Sequence, residues 1–232
     1  GLSGYLPFSD TIQLAGRVFG GALWPFGESR DNLTIPRSTS AAQSRRNRTF
    51  QDRFSDYLFY GGGGTDVRGW QSQLAGGKVL RESDIARTDY VYRPIGARLK
   101  LGVNLEARLP FPGLGSSWRT ALFVDAAYLN AGALTLVPPP NVSGTVAGPD
   151  GRALGTDPNQ LLVGTGGGLR YKTPFGFVRF DLAYKLTPDA LDRRRPGALG
   201  NTVEENATDP IENPPTRPIR RFRLHFGIGR SF

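Results

Sequence analysis

Few residues in this sequence could carry covalent or metal chemistry. The chain has 232 residues, no cysteine and one histidine, His225. Thiolate nucleophiles, disulfides and cysteine zinc sites are excluded, and a site built on several histidines has no material. Two glycine-rich stretches invite a phosphate-binding reading, and both fail. The run Phe59-Tyr60-Gly61-Gly62-Gly63-Gly64-Thr65-Asp66-Val67-Arg68-Gly69-Trp70 lacks the Gly-Lys-Ser/Thr that closes a phosphate loop. In Gly164-Thr165-Gly166-Gly167-Gly168 the third fingerprint glycine is replaced by Leu169, and Thr173-Pro174 precludes a helix behind it. No catalytic residue, cofactor or metal ion is expected. The net charge of +9 could mark a nucleic-acid binder. The arginines are spread along the whole chain rather than clustered, so no nucleic-acid partner is expected.

The elements that must position any site read as strands. Between Ala97 and Phe111, Leu99, Leu101, Val103, Leu105, Ala107, Leu109 and Phe111 alternate with Arg98, Lys100, Gly102, Asn104, Glu106 and Arg108. One face is apolar and the other polar or glycine, which is the signature of a strand with two different environments. The same period recurs over 11–20, 119–130, 161–172, 176–186 and 219–232, giving six predicted strands. The polar face carries Arg17, Arg98, Lys100, Arg108, Arg119, Arg170, Lys172, Arg179, Lys185, Arg221 and Arg223, opposed by Glu106, Asp125 and Asp181.

An apolar face nearly free of charge over about 9–11 residues is what an outer-membrane strand presents to lipid. There is no run of 18 apolar residues, so no transmembrane helix is expected. Connections alternate between short (110–118, 173–175) and long (21–96, 131–160, 187–218), as in barrels with tight turns on one side and long loops on the other. The predicted fold class is therefore all-β, a transmembrane antiparallel β-barrel. Six strands do not close one, because single-chain barrels begin at about eight and open edges in lipid leave backbone groups unpaired. Further strands must come from upstream sequence or a second chain. The absence of methionine, even at Gly1, fits a mature or cleaved fragment.

Five motifs in order carry a family resemblance. Gly62-Gly63 followed by Val67-Arg68-Gly69-Trp70 resembles the V-R-G-aromatic motif of the BamA/TamA family of outer-membrane assembly proteins (bacterial surface antigen type). Asn104-Leu105-Glu106-Ala107-Arg108-Leu109-Pro110 resembles its N-L-E-x-R-x-P strand. Phe123-Val124-Asp125-Ala126-Ala127 resembles its F-x-D-x-G strand, with Ala127 where glycine is usual. Thr173-Pro174-Phe175-Gly176 resembles its periplasmic turn, and Leu224 to Phe232 its C-terminal signal strand with a terminal aromatic.

The resemblance implies that residues 1–232 are the C-terminal portion of a barrel of about sixteen strands. Segment 21–96 would be an external loop folding into the lumen, and 131–160 and 187–218 external loops. It implies an inward-loop lock of Val67, Arg68, Gly69 and Trp70 with Glu106 and Asp125 on the lumen wall. A lateral seam would be formed by the strand bearing Leu224, Phe226, Gly227, Ile228, Gly229 and Phe232. Implied partners are outer-membrane lipid, the remaining strands, periplasmic POTRA domains, accessory lipoproteins and unfolded outer-membrane clients. The implied function is barrel-protein assembly or insertion by strand pairing at the seam, without chemical catalysis, in the bacterial outer membrane. A two-partner-type secretion pore, or a barrel anchor for an upstream domain, would share the same motifs.

Overall fold

The computed structural model describes residues 1–24, 26, 56–82, 90–131, 157, 159–174, 176–189, 191–193 and 221–229. The described strands are β1 (Leu2–Pro7), β2 (Gln13–Ala22), β3 (Lys78–Glu82), β4 (Tyr90–Pro94), β5 (Leu99–Pro110), β6 (Trp118–Asn130), β7 (Gln160–Thr173), β8 (Gly176–Lys185) and β9 (Phe222–Ile228). Seven of them form one antiparallel sheet in the order β1-β2-β5-β6-β7-β8-β9, and β3 and β4 pair as a separate hairpin. The described residues thus form a meander, each sheet strand hydrogen-bonded to the sheet strand before it in sequence. Short and long connections alternate throughout, beginning with a tight turn at 8–12, where Phe8 N–H donates to the Ile12 carbonyl at 3.0 Å.

The six strands that alternation predicts appear as β2 and β5 to β9. Strand β1 is additional. It is six residues long and interrupted by Gly4, too short to announce a period, yet Leu2 and Leu6 fall opposite Val18 and Leu14 and continue the apolar face. The hairpin β3–β4 lies within the segment predicted as loop. Its five-residue strands mix Lys, Arg, Glu and Pro with apolar residues and sustain no alternation. Arg230, Ser231 and Phe232 lie outside the described residues, as do Phe175, Arg45, Arg46, Arg48, Arg194, Arg195 and the Asn-x-Ser/Thr sites at 32, 47, 141 and 206.

Register carries the two-face pattern across the whole sheet. One outward rung runs Leu105, Val124, Thr165, Tyr184, Phe222. Leu105, Val124, Phe180, Leu182, Leu224, Phe226 and Ile228 are all exposed, with Leu224 at 76%. The opposite face buries polar groups instead: Asn104, Glu106, Asp125, Arg170, Arg179, Asp181 and Lys185 are among its buried residues. A water-soluble sheet would do the reverse, since exposed contiguous apolar area is costly in water. The inverted arrangement suits strands bathed in hydrocarbon outside and packed on polar groups inside.

A charge at mid-strand on the outward face distinguishes these environments. Leu105→Arg should cost about 2–4 kcal/mol in a bilayer, visible as loss of the folded, heat-modifiable species in native gels. A near-neutral effect, within about 0.5 kcal/mol, would mean that this face meets water.

Candidate functional site

The segment 56–77 lies against the polar face of the sheet. Its path is fixed by isolated bridges, Phe59 to Ala97 and Gly61 to Ala75. Gly62, Gly63 and Gly69 adopt left-handed φ of 100°, 98° and 112°. A side chain at Gly62 would collide with the Gln71 carbonyl, so the tight reversal around Val67-Arg68-Gly69-Trp70 requires glycine there. Val67 and Trp70 are fully buried and pack with Ala75, Ala97, Ala127, Leu129 and Leu162. Ala127 therefore serves as a small wall residue beneath the loop.

Arg68, 1% exposed, is the centre of the site. Its Nε donates to Asp125 Oδ2 at 2.7 Å and its Nη2 to Asp125 Oδ1 at 2.9 Å, a two-pronged contact. Its backbone N–H donates to the same carboxylate at 3.0 Å, and its Nη1 reaches Glu106 Oε2 at 2.8 Å. Asp181 Oδ2 stands 3.6 Å from Nη1. The guanidinium carbon lies 3.5 Å from the centre of the Phe123 ring, which floors the site. Burial opposes the charge of Arg68, but the hydrogen bonds and charges of Asp125 and Glu106 outweigh it and raise its pKa.

The acids are themselves held. Arg108 Nε donates to Glu106 Oε1 at 2.8 Å, Arg170 Nη2 to Glu106 Oε2 at 3.2 Å, and Arg170 Nη1 closely to Asp181. Asn104 Nδ2 joins wall to loop, donating to Asp125 Oδ1 and to the Asp66 carbonyl. Lys100 anchors the loop from the other side through Asp66 Oδ2 and the Tyr60 carbonyl. Three carboxylates meet three guanidiniums in direct contact here, the form in which buried ions are tolerated.

The loop also touches the last strands. Gly69 N–H donates to His225 Nε2 on β9 at 3.2 Å, so the single histidine is a wall group under the loop. Trp70 Nε1 donates to Asp192 Oδ2 at 2.7 Å, in the short 3₁₀ turn Leu191–Arg193 that follows β8. Lys78 Nζ meets Asp189 at 2.7 Å and Asp192 at 3.0 Å, and Lys185 meets Asp192 at 3.3 Å. Tyr92 of the hairpin donates to the Leu191 carbonyl at 2.9 Å.

Of the residues singled out in the sequence, Val67, Arg68, Gly69, Trp70, Glu106 and Asp125 come together. Leu224, Phe226 and Ile228 face outward on β9 and Gly227 faces the site side, while Gly229 follows with φ of 97°. Phe232 is outside the described residues. Sequence reasoning passes over Asp181, Lys78, Asp189, Asp192 and Gly164 as site members. Asp181 shares the polar parity of its strand and was findable on that signal. Gly164 has no side-chain signal at all: a Cβ there would collide with the Arg68 carbonyl, so β7 is bare where the loop backbone rests.

A meander of lipid-type strands with a polar interior and a loop locked against that interior defines a piece of an outer-membrane β-barrel. The model for the Omp85 superfamily domain matches residues 2–232, and the chain belongs to that superfamily. Among solved structures it is similar to that described as "The crystal structure of BamA from Haemophilus ducreyi lacking POTRA domains 1-3", at 21% identity and a TM-score of 0.52. The match covers 81% of this chain and 31% of that one, so this chain spans about a third of the length of the barrel protein it resembles. No curated relative matches it.

The second ionic cluster generates a pH prediction. Burial pushes the Asp192 carboxyl up, but the charges of Lys78 and Lys185 and the Trp70 hydrogen bond hold it below the usual carboxylate range. A depressed carboxylate contributes stability above its unfolded pKa, about 3.9 for Asp, and loses it as the pH falls further. In a variant whose only tryptophan is Trp70, its fluorescence should be constant from neutrality to about pH 5 and change progressively below about pH 4. Asp192→Asn should show the acid-type spectrum at neutral pH; an unchanged spectrum would remove the contact.

Proposed function

We propose that the whole protein places or exports polypeptides at the outer membrane, and that this chain supplies the regulated side of its barrel. The observation that carries the reading is the Arg68 cluster. One loop residue ties together acids from β5, β6 and β8, and its neighbour Gly69 reaches His225 on β9. A loop fixed to the inner wall by ions, next to a sheet edge, suits a barrel whose lumen and seam must be held in one state and released in another.

Insertion is favoured over simple conduction because the lock reaches the last strand of the sheet, where Gly69 of the loop holds His225 on β9. β9 has no strand on its far side among the described residues, and its outward Leu224, Phe226 and Ile228 are strongly exposed. Once the resident strand beyond β9 parts from it, such an edge is a template for strand addition. The reading is that incoming strands pair at this seam, in the manner implied by the resemblance to assembly proteins. POTRA domains and accessory lipoproteins would then deliver the clients, and lipid would surround the apolar face. No step in this reading forms or breaks a covalent bond.

Cells relying on Arg68→Ala should lose several unrelated outer-membrane barrel proteins by two-fold or more, whereas Arg194→Ala should leave them unchanged. Quantitative proteomics of outer membranes checks both. Loss of a single exported protein with normal barrel levels would favour the secretion reading. Equal effects of the two substitutions would remove the lock from the mechanism.

A further inference from the structure

The buried charges of the wall do not balance. Around Arg68, the acids Glu106, Asp125 and Asp181 are matched by Arg68, Arg108 and Arg170. Arg179 on β8 is a fourth guanidinium at the same cluster, 6% exposed. Of the buried polar and charged residues described, it alone makes no hydrogen bond or ion pair, and its Nη1 is completely enclosed. Asp181 attracts it through space but does not meet it: one oxygen of that carboxylate is held by Arg170, and the other, which accepts no hydrogen bond, lies 3.6 Å from Arg68 Nη1. A guanidinium taken from water without a hydrogen-bonded counter-ion is costly enough that proteins seldom leave one so.

Its placement says where the missing acid belongs. Arg179 stands opposite Gly227 in the β8–β9 register. A Cβ at Gly227 would lie 2.5 Å from Arg179 Nε, 3.1 Å from Nη2 and 3.2 Å from Cζ. The guanidinium therefore lies over the backbone of β9, in the gap that glycine leaves. Gly64 of the inward loop covers it from above, with a Cβ position 3.5 Å from Nη2. Beyond β9 there is only the free edge of the sheet among the described residues.

We propose that Arg179 reaches through the Gly227 gap to receive a carboxylate from the strand that pairs with the free edge of β9, a resident strand of the same barrel bearing Asp or Glu on its lumen face opposite Gly227. A resident strand fits better than a passing client. The enclosed Nη1 needs a partner at rest, and a closed barrel must pair this edge in any case. The ion pair would fix the register of the seam, because a slip of one residue turns the acid to the lipid face. The inference rests on the barrel fold and not on the proposed activity.

The test uses the full-length barrel in native outer membranes. Arg179→Lys places an amine at the site, and a water-soluble carbodiimide joins it to a carboxylate in contact. Peptide mass spectrometry should find the link to an Asp or Glu of a strand of the same barrel outside these 232 residues, absent from the unsubstituted protein. A link to Asp181 only, to a client protein only, or no link in a folded barrel would overturn the proposal. As a second variant, Arg179→Glu should lower by several degrees the temperature at which the barrel loses its heat-modifiable mobility. Reversing the identified acid to Arg should restore it. An unchanged temperature in Arg179→Glu would also overturn the proposal, whichever way the proteomic experiment on Arg68 falls.

Discussion

A guanidinium buried against a protein wall is stable only if acids meet it with good geometry from several sides, and the site depends on meeting that constraint at Arg68. Its five donor directions fit a planar fork that a lysine could not reproduce. Asp125 takes two prongs and the backbone N–H, and Glu106 takes a third prong. These acids lie on adjacent strands but not on one rung: Glu106 pairs with Phe123, and Asp125 with Asn104. The offset leaves Phe123 between them as the apolar floor beneath the cation. Register, rather than any single residue, creates the receptor.

The rest of the wall accommodates the same loop. Gly164, Gly166 and Gly168 lie at alternate positions on β7, all on the polar face. The first is bare where the Arg68 carbonyl rests, and the last where the Arg170–Asp181 pair crosses. Glycine normally weakens a strand, and here the loss is offset by close approach of a loop with matched charge. The hairpin β3–β4 adds a second attachment through Lys78 and Tyr92 to the turn after β8. Loop, wall and β9 are thereby joined by two ionic clusters and by the Gly69–His225 hydrogen bond.

Much of this was legible in the sequence because strand period two is a strong signal when both faces are unlike. Residues 97–111 declared their faces without ambiguity, and the same parity put Glu106, Asp125 and Asp181 on one side. The reach of Arg68 to two of them came only through the resemblance of Val67-Arg68-Gly69-Trp70 to a known motif. Parity put Asp181 on the site face, but its nearness to Arg68 depends on pairings across β6, β7 and β8, which parity alone does not fix. Trp70 to Asp192 joins two irregular segments, where no period exists to read. β1 was too short to count, and the hairpin strands carried charges that broke their alternation.

The central claim is that Arg68 and its wall acids act as one unit holding the loop. A double-mutant cycle on barrel unfolding tests it most directly, comparing Arg68→Ala, Asp125→Ala and the double variant. Arg68→Ala leaves Asp125 buried without its cation, Asp125→Ala strips Arg68 of its two-pronged partner and leaves it Glu106 and Asp181, and the double change removes both members, so the account predicts strong non-additivity, a coupling of about 2–3 kcal/mol. Additive effects would show that the two residues stabilise the barrel independently and would contradict the lock.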